Sequence, residues 1–139
     1  MDKIILIAGP TGVGKTAASV SVAKKIGGEI ISADSMQIYR KMDIGTAKIM
    51  PDEMKGIPHH LIDIVEPYDE FSVKDFDDMS KTAIKEISGR SNIPVIAGGT
   101  GLYINAIVYD MDYNKVTTDS EFRNELWKYY EEKGTEELY

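Results

Sequence analysis

The hydrophobic pattern of this chain switches repeatedly between a strand-like run and a helix-like spacing. Lys3-Ile4-Ile5-Leu6-Ile7-Ala8 is a continuous apolar run and reads as a buried strand. A glycine-rich break follows, and Thr16 to Ile26 reads as a helix that Gly27-Gly28 caps. Glu29-Ile30-Ile31-Ser32-Ala33 is a second, short strand ending at Asp34. From Met42 to Pro58 the text is polar and broken by Gly45, Pro51, Gly56 and Pro58, with room for one short helix from Thr46. His59 to Ile64 reads as a further short strand. Ser72-Val73-Lys74-Asp75 resembles a helix start, and Phe76, Met79, Ala83, Ile84 and Ile87 keep helical spacing up to Gly89.

Asn92 to Ala97 predicts another sheet strand, with Pro94 near its beginning. Leu102, Ile104, Ala106, Ile107 and Val108 then make a largely apolar helix. Past a polar connector at 112–117, Thr118-Asp119-Ser120-Glu121 fits a capping box. The helix it opens carries Phe122, Leu126, Trp127 and Tyr130 toward an apolar surface and ends at Gly134, with Thr135 to Tyr139 starting another. Strands alternating with helices predict an α/β protein: a three-layer fold whose mostly parallel sheet is covered by helices and is left incomplete at the C-terminus.

Composition changes this picture little. The 139 residues suffice for one domain with a real core. The absence of cysteine excludes disulfides and thiolate metal sites and suits a reducing cytosol. No apolar run approaches the roughly 18 residues of a membrane span, and Met1-Asp2-Lys3 leads straight into the first strand, so neither a membrane anchor nor a leader is expected. The formal net charge of −7 argues against holding nucleic acid by bulk electrostatics alone.

Chemistry enters with Gly9-Pro10-Thr11-Gly12-Val13-Gly14-Lys15-Thr16, which fits G-x-x-x-x-G-K-[ST] between a strand and a helix. Backbone N–H groups of such a loop close around phosphate oxygens. Gly9 and Gly14 are expected to adopt backbone angles that a Cβ would forbid and to let the chain approach an anion closely. Lys15 supplies charge for the outer phosphates, and the Thr16 hydroxyl can hold Mg²⁺. Ligands of open α/β sheets sit beyond the carboxyl ends of strands, so Asp34 should lie beside this loop. Gly98-Gly99-Thr100-Gly101 ends another strand and suggests backbone packed closely on a ligand, or else a plain strand-to-helix turn. His59 and His60, adjacent on a strand, point to opposite faces and make a poor metal pair. Hydrolytic phosphate-loop proteins place an Asp at the end of an apolar strand behind the loop. Val95-Ile96-Ala97-Gly98-Gly99 has none, and Leu61-Ile62-Asp63 is a weak substitute. No Asn-Lys-x-Asp is present, so a GTPase switch is not expected, while a small-molecule kinase or a nucleotide-binding module stays open.

Five stretches in one order carry a resemblance: residues 9–16; Asp34-Ser35-Met36-Gln37-Ile38-Tyr39-Arg40; Met42-Asp43-Ile44-Gly45-Thr46-Ala47-Lys48; His59-His60-Leu61-Ile62-Asp63; and Gly98-Gly99-Thr100-Gly101-Leu102-Tyr103. Together they closely resemble the bacterial tRNA dimethylallyltransferase (tRNA isopentenyl transferase) family over residues 1–110, and more weakly the helix after 118. The resemblance implies that the loop holds the diphosphate of dimethylallyl diphosphate and that the prenyl group moves to the N6 amine of the adenosine 3′ of the tRNA anticodon. It implies Asp34, Thr100 and Lys15 as catalytic residues, with Mg²⁺ at Thr16. Asp34, Ser35, Met36, Gln37, Thr100 and Arg123 would meet the tRNA anticodon stem-loop. It further implies a phosphate-binding core at 1–110, the start of a helical tRNA-binding insertion at 111–139, and a cytoplasmic enzyme that is monomeric at full length. Family members are about twice as long, so this chain alone is expected to transfer little. An adenylate isopentenyltransferase is the nearest alternative.

Overall fold

A computed structural model describes residues 3–109 and 120–135. Four parallel strands, β1 (Ile5–Ala8), β2 (Gly28–Ala33), β3 (His59–His60) and β4 (Ile93–Gly98), form one sheet in the order β1-β4-β2-β3. Helix α1 (Lys15–Ile26) covers one face; α2 (Val73–Gly89) and α3 (Gly101–Tyr109) cover the other. A fourth helix, α4 (Ser120–Lys133), follows. The three-layer α/β fold is therefore the one the alternating pattern predicts.

The two-residue period of the strands divides the core. Ile30 and Val95 face α1, where they meet Val20 and Ala23. Ile31, Ala33 and Ile96 face α2 and α3, where Phe76, Ile84, Ile87 and Tyr103 close over them. The Phe76 and Tyr103 rings stack with centroids 4.0 Å apart and planes at 7°, which locks α3 onto α2. Helix α2 starts as its sequence predicts. The Ser72 hydroxyl accepts from the Asp75 amide at 3.2 Å, and the Asp75 carboxylate accepts from the Ser72 amide at 2.8 Å.

Several expectations need correction. Among the described residues β1 pairs only with β4, and Ile4 and Leu6 are 42% and 38% exposed in this chain instead of buried. The strand expected from His59 to Ile64 stops at His60 because Leu61 and Asp63 adopt left-handed backbone, with φ of 61° and 54°. The chain there turns to hydrogen-bond residues 37–40: Ile64 N–H donates to Ile38 O at 2.8 Å and Arg40 N–H to Val65 O at 2.8 Å. No helix forms at Thr46; residues 44–47 are a turn whose Thr46 hydroxyl donates to Met42 O at 2.6 Å. The aromatic side of α4 stays largely open: Phe122 and Trp127 are 58% and 60% exposed, Leu126 and Tyr130 each 40%, and Trp127 meets Tyr130 edge-on at 5.7 Å. The connector at 112–117, the Thr118 cap and the helix expected after Thr135 lie outside the described residues, apart from Thr135 itself.

Candidate active site at the strand tips

The carboxyl ends of β1, β2 and β4 converge on one cavity of about 580 Å³. Its wall includes Thr11, Gly12, Gly14, Lys15 and Thr16 from the glycine-rich loop, Asp34, Ser35, Met36 and Gln37 beyond β2, and Gly98, Gly99 and Thr100 beyond β4. Most of the residues singled out from the sequence therefore meet in one place. Gly9, Pro10 and Val13 belong to the loop but do not line the cavity, and Arg123 sits on the exposed α4, away from it.

Loop geometry follows from its glycines. Gly12 and Gly14 have φ of 84° and 87°, where a side chain would be strained. Gly9 does not; a Cβ there would reach ordinary contact with the Val13 side chain at 3.5 Å, so its expected left-handed role passes to Gly12. Gly14 is the N-cap of α1 and supplies no side-chain acceptor, and the first turn of α1 carries no acid. The first amides of a twelve-residue helix are thus left pointing at the cavity, where the helix dipole favours an anion. Lys15 Nζ donates to Pro10 O at 2.6 Å, which leaves two of its three N–H groups for a ligand.

Opposite the loop, Asp34 closes an Asx-type turn. Its Oδ1 accepts from the Met36 amide at 2.9 Å and, more weakly, from the Gln37 amide at 3.4 Å. Capping and chemistry need not compete here, since Oδ2 has no hydrogen-bond partner among the described residues. Thr100 ties the tip of β4 to this turn: its Oγ1 accepts from the Ser35 amide at 3.0 Å and donates to Ser35 Oγ at 3.3 Å, while its own amide donates to Ala33 O at 3.2 Å. The glycines before it line the cavity and also pack closely on backbone. A Cβ on Gly98 would overlap the Ala33 backbone, and one on Gly99 would stand 3.2 Å from Gly9 O and 3.6 Å from Lys15 Nζ.

Magnesium fits this wall in one particular way. Among the described residues no group of three or more His, Asp or Glu side chains is placed to cage a metal. Thr16 offers one hydroxyl at the cavity, which matches an ion held by a protein oxygen, ligand phosphates and water. His59 lines the far side, with Nδ1 2.8 Å from Ile57 O; burial lowers its pKa, against that backbone bond, and His60 lowers it further. His60 points to the opposite face, where Nε2 meets Glu29 Oε2 at 2.7 Å.

Two clusters were not legible from the sequence. Glu29, 4% exposed, accepts from Arg90 at 2.8 and 3.1 Å and from Asn92 at 2.7 Å, besides His60. The Arg90 bonds, against the cost of burial and with help from Asn92 and His60, pull its pKa down to about 2. Lys48 is buried among Asp43, Asp63 and the Tyr39 carbonyl. Burial pulls its pKa down, but the two carboxylates outweigh that and the net shift is upward. A lysine in a polar loop carries no local signal of such burial.

Comparison with known proteins agrees with this geometry. A family model described as IPP transferase matches residues 37–139. The chain is 55% identical over 137 residues to a tRNA dimethylallyltransferase of Caldanaerobacter subterraneus and 52% identical over 138 residues to one of Geobacillus thermodenitrificans, in each case over 99% of this chain. It spans 44% of the length of those curated relatives. Among solved structures, the full-length tRNA isopentenylpyrophosphate transferase of Bacillus halodurans superposes with a TM-score of 0.81 at 48% identity, covering 99% of this chain and 46% of that one. A eukaryotic dimethylallyltransferase acting on tRNA superposes with a TM-score of 0.76 at 38% identity, over 86% of this chain and 29% of that one. A match over most of the length, carried by relatives more than half identical, has one reading: the chain belongs to the IPP transferase family.

Proposed function

We propose that this chain is the donor-binding and acceptor-positioning part of an enzyme that transfers a dimethylallyl group from dimethylallyl diphosphate to the N6 amine of the adenosine 3′ of the anticodon in tRNA. The observation that carries the reading is that the glycine-rich loop and Asp34 line a single cavity of about 580 Å³, within the range of small-molecule sites. The diphosphate would rest on the loop amides and Lys15, with Thr16 as the protein ligand of Mg²⁺, which would supply further positive charge to the leaving group. As the bond between the prenyl carbon and the diphosphate oxygen breaks, negative charge grows on oxygens that these donors already face. The N6 nitrogen forms the new bond to that carbon, and Asp34 Oδ2 accepts the proton the nitrogen loses. Thr100 would turn its hydroxyl from Ser35 toward the bridging oxygen or the flanking nucleotide. Ser35, Met36 and Gln37 would wall the base, which must leave its stack to reach this depth.

Residues 1–110 would then be the chemical core and 111–139 the start of a helical tRNA-binding insertion, with Arg123 on its surface. The full-length enzyme would work as a monomer in the cytoplasm. Among the described residues no helix is long and apolar enough to cross a membrane. Calorimetric titration with a thiodiphosphate analogue of the donor tests the first half of the reading: Lys15→Ala should weaken binding by about tenfold or more, the worth of one charge-assisted contact. A competition between AMP and an anticodon stem-loop for the donor-loaded full-length protein tests the second. Preference for AMP would move the assignment to an adenylate isopentenyltransferase, and phosphate transfer from ATP to a small acceptor would replace it with a kinase.

A further inference from the structure

Lys48 joins three separate stretches of chain. Its side chain is 3% exposed, and its ammonium donates to Tyr39 O at 2.7 Å, Asp43 Oδ1 at 2.8 Å and Asp63 Oδ1 at 2.5 Å. Those bonds use all three of its N–H groups. They clamp the end of the turn after Asp34, the 43–47 loop and the bend after β3 onto one point. The residue before it, Ala47, has a φ of 49°, a left-handed conformation that persists only where its surroundings impose it. The Ala47 carbonyl, one residue before this clamp, accepts from Gln37 Nε2 at 3.1 Å, and Gln37 Oε1 accepts from Ser32 Oγ at 3.3 Å.

A backbone carbonyl can only accept, so the end of the Gln37 amide facing Ala47 must be the nitrogen. One N–H and one oxygen lone pair remain on an amide that lines the cavity. That pair is the complement of an adenine edge, which offers an acceptor nitrogen beside an amine. A reversed amide would present the wrong order to it. We infer that Lys48 is a positioning residue for the acceptor base: by holding the Ala47 carbonyl in place it fixes which way round the Gln37 amide faces the cavity. The inference rests on the proposed reading that this cavity receives adenine.

The test compares Lys48→Met with the parent protein, and adds Lys48→Met/Asp63→Asn in case two uncompensated carboxylates prevent folding. Three quantities are read: affinity for the thiodiphosphate donor analogue, affinity for an anticodon stem-loop with adenosine at the target position, and the ¹H–¹⁵N signals of the Gln37 side-chain amide. Acceptor affinity should fall about tenfold, the lower part of what one bidentate base contact is worth. Donor affinity should stay within about twofold, since Lys48 touches no loop residue, and the Gln37 amide signals should move. A Gln37 amide that keeps its signals in a folded variant overturns the inference, and so does an equal loss of both affinities. If the parent binds donor but no adenosine, the acceptor assignment fails instead, and the Gln37 signals still decide what Lys48 does.

Discussion

Replacing Gly98 with alanine adds one methyl group at the most constrained point of the sheet. Gly98 ends β4 opposite Ala33, and the new Cβ would fall on the carbonyl and Cα of that residue. Its φ is not in the left-handed region, so the penalty is one of space and not of conformation. The obstructing atoms are backbone in a parallel pair buried on both faces, and no rotamer change can relieve the overlap. Overpacking of a core costs about 1–3 kcal/mol when side chains can yield, so a backbone overlap should reach at least the top of that range, about 3 kcal/mol. Against the roughly 5–15 kcal/mol that holds a domain together, this is a large fraction. Gly101, three residues on, supplies the control: a Cβ there meets nothing within 4 Å, in the first turn of α3. Gly101→Ala should be neutral or stabilise by up to about 1 kcal/mol. Urea unfolding followed by circular dichroism measures both, with an unchanged slope required for the comparison. If the Gly98 variant unfolds within about 1 kcal/mol of the parent, or the two variants cannot be told apart, the close approach of β4 to Ala33 is wrong, and with it the placement of Asp34 beside the loop.

Two further outcomes follow from the polar contacts. The folded pKa of Glu29, about 2 against an ordinary 4.5, makes its network stabilising above the ordinary value, and this contribution drains away as pH falls through that interval. Denaturant midpoints should therefore drop between about pH 4.5 and 2 in the parent, and drop less in Glu29→Gln, which should also lose about 1–3 kcal/mol at neutral pH. Equal acid sensitivity in the two proteins would remove Glu29 as the cause. Ser72→Ala removes the hydroxyl that accepts from the Asp75 amide, leaving the backbone half of the capping box, and should cost about 1 kcal/mol, read as a lower thermal midpoint that Ser72→Asp largely restores.

What could be read in advance was what is local. Residues 9–16 announce a glycine-rich turn from strand to helix because the glycines, the lysine and the helix start are contiguous. Asp34 was foreseeable because an acid directly after an apolar strand must emerge at the ligand-binding end of a parallel sheet. The place of β1 at one end of the described strand order could not be foreseen: an apolar run looks the same in the middle of a sheet as at its border, and only the pairing order separates the two. The left-handed backbone at Leu61 and Asp63 broke an apparent strand for a tertiary reason, since the chain there must turn back to residues 37–40. Gln37 could be placed just beyond β2, but not the contacts that orient its amide, which come from Ser32 and from the Ala47 carbonyl ten residues on. Such long-range polar contacts leave no periodic trace.

The strand order has a consequence for how the protein is made. β1 pairs only with β4 among the described strands, so Ile5 waits for Val95 before its ladder can form. Most of the described chain must leave the ribosome before the glycine-rich loop has a rigid strand behind it. Contacts so far apart in sequence close slowly, and an apolar segment without its partner is exposed to aggregation meanwhile. A nascent chain arrested before Gly98 should therefore hold its first strand unpaired and bind no anion at the loop, whatever its local sequence favours.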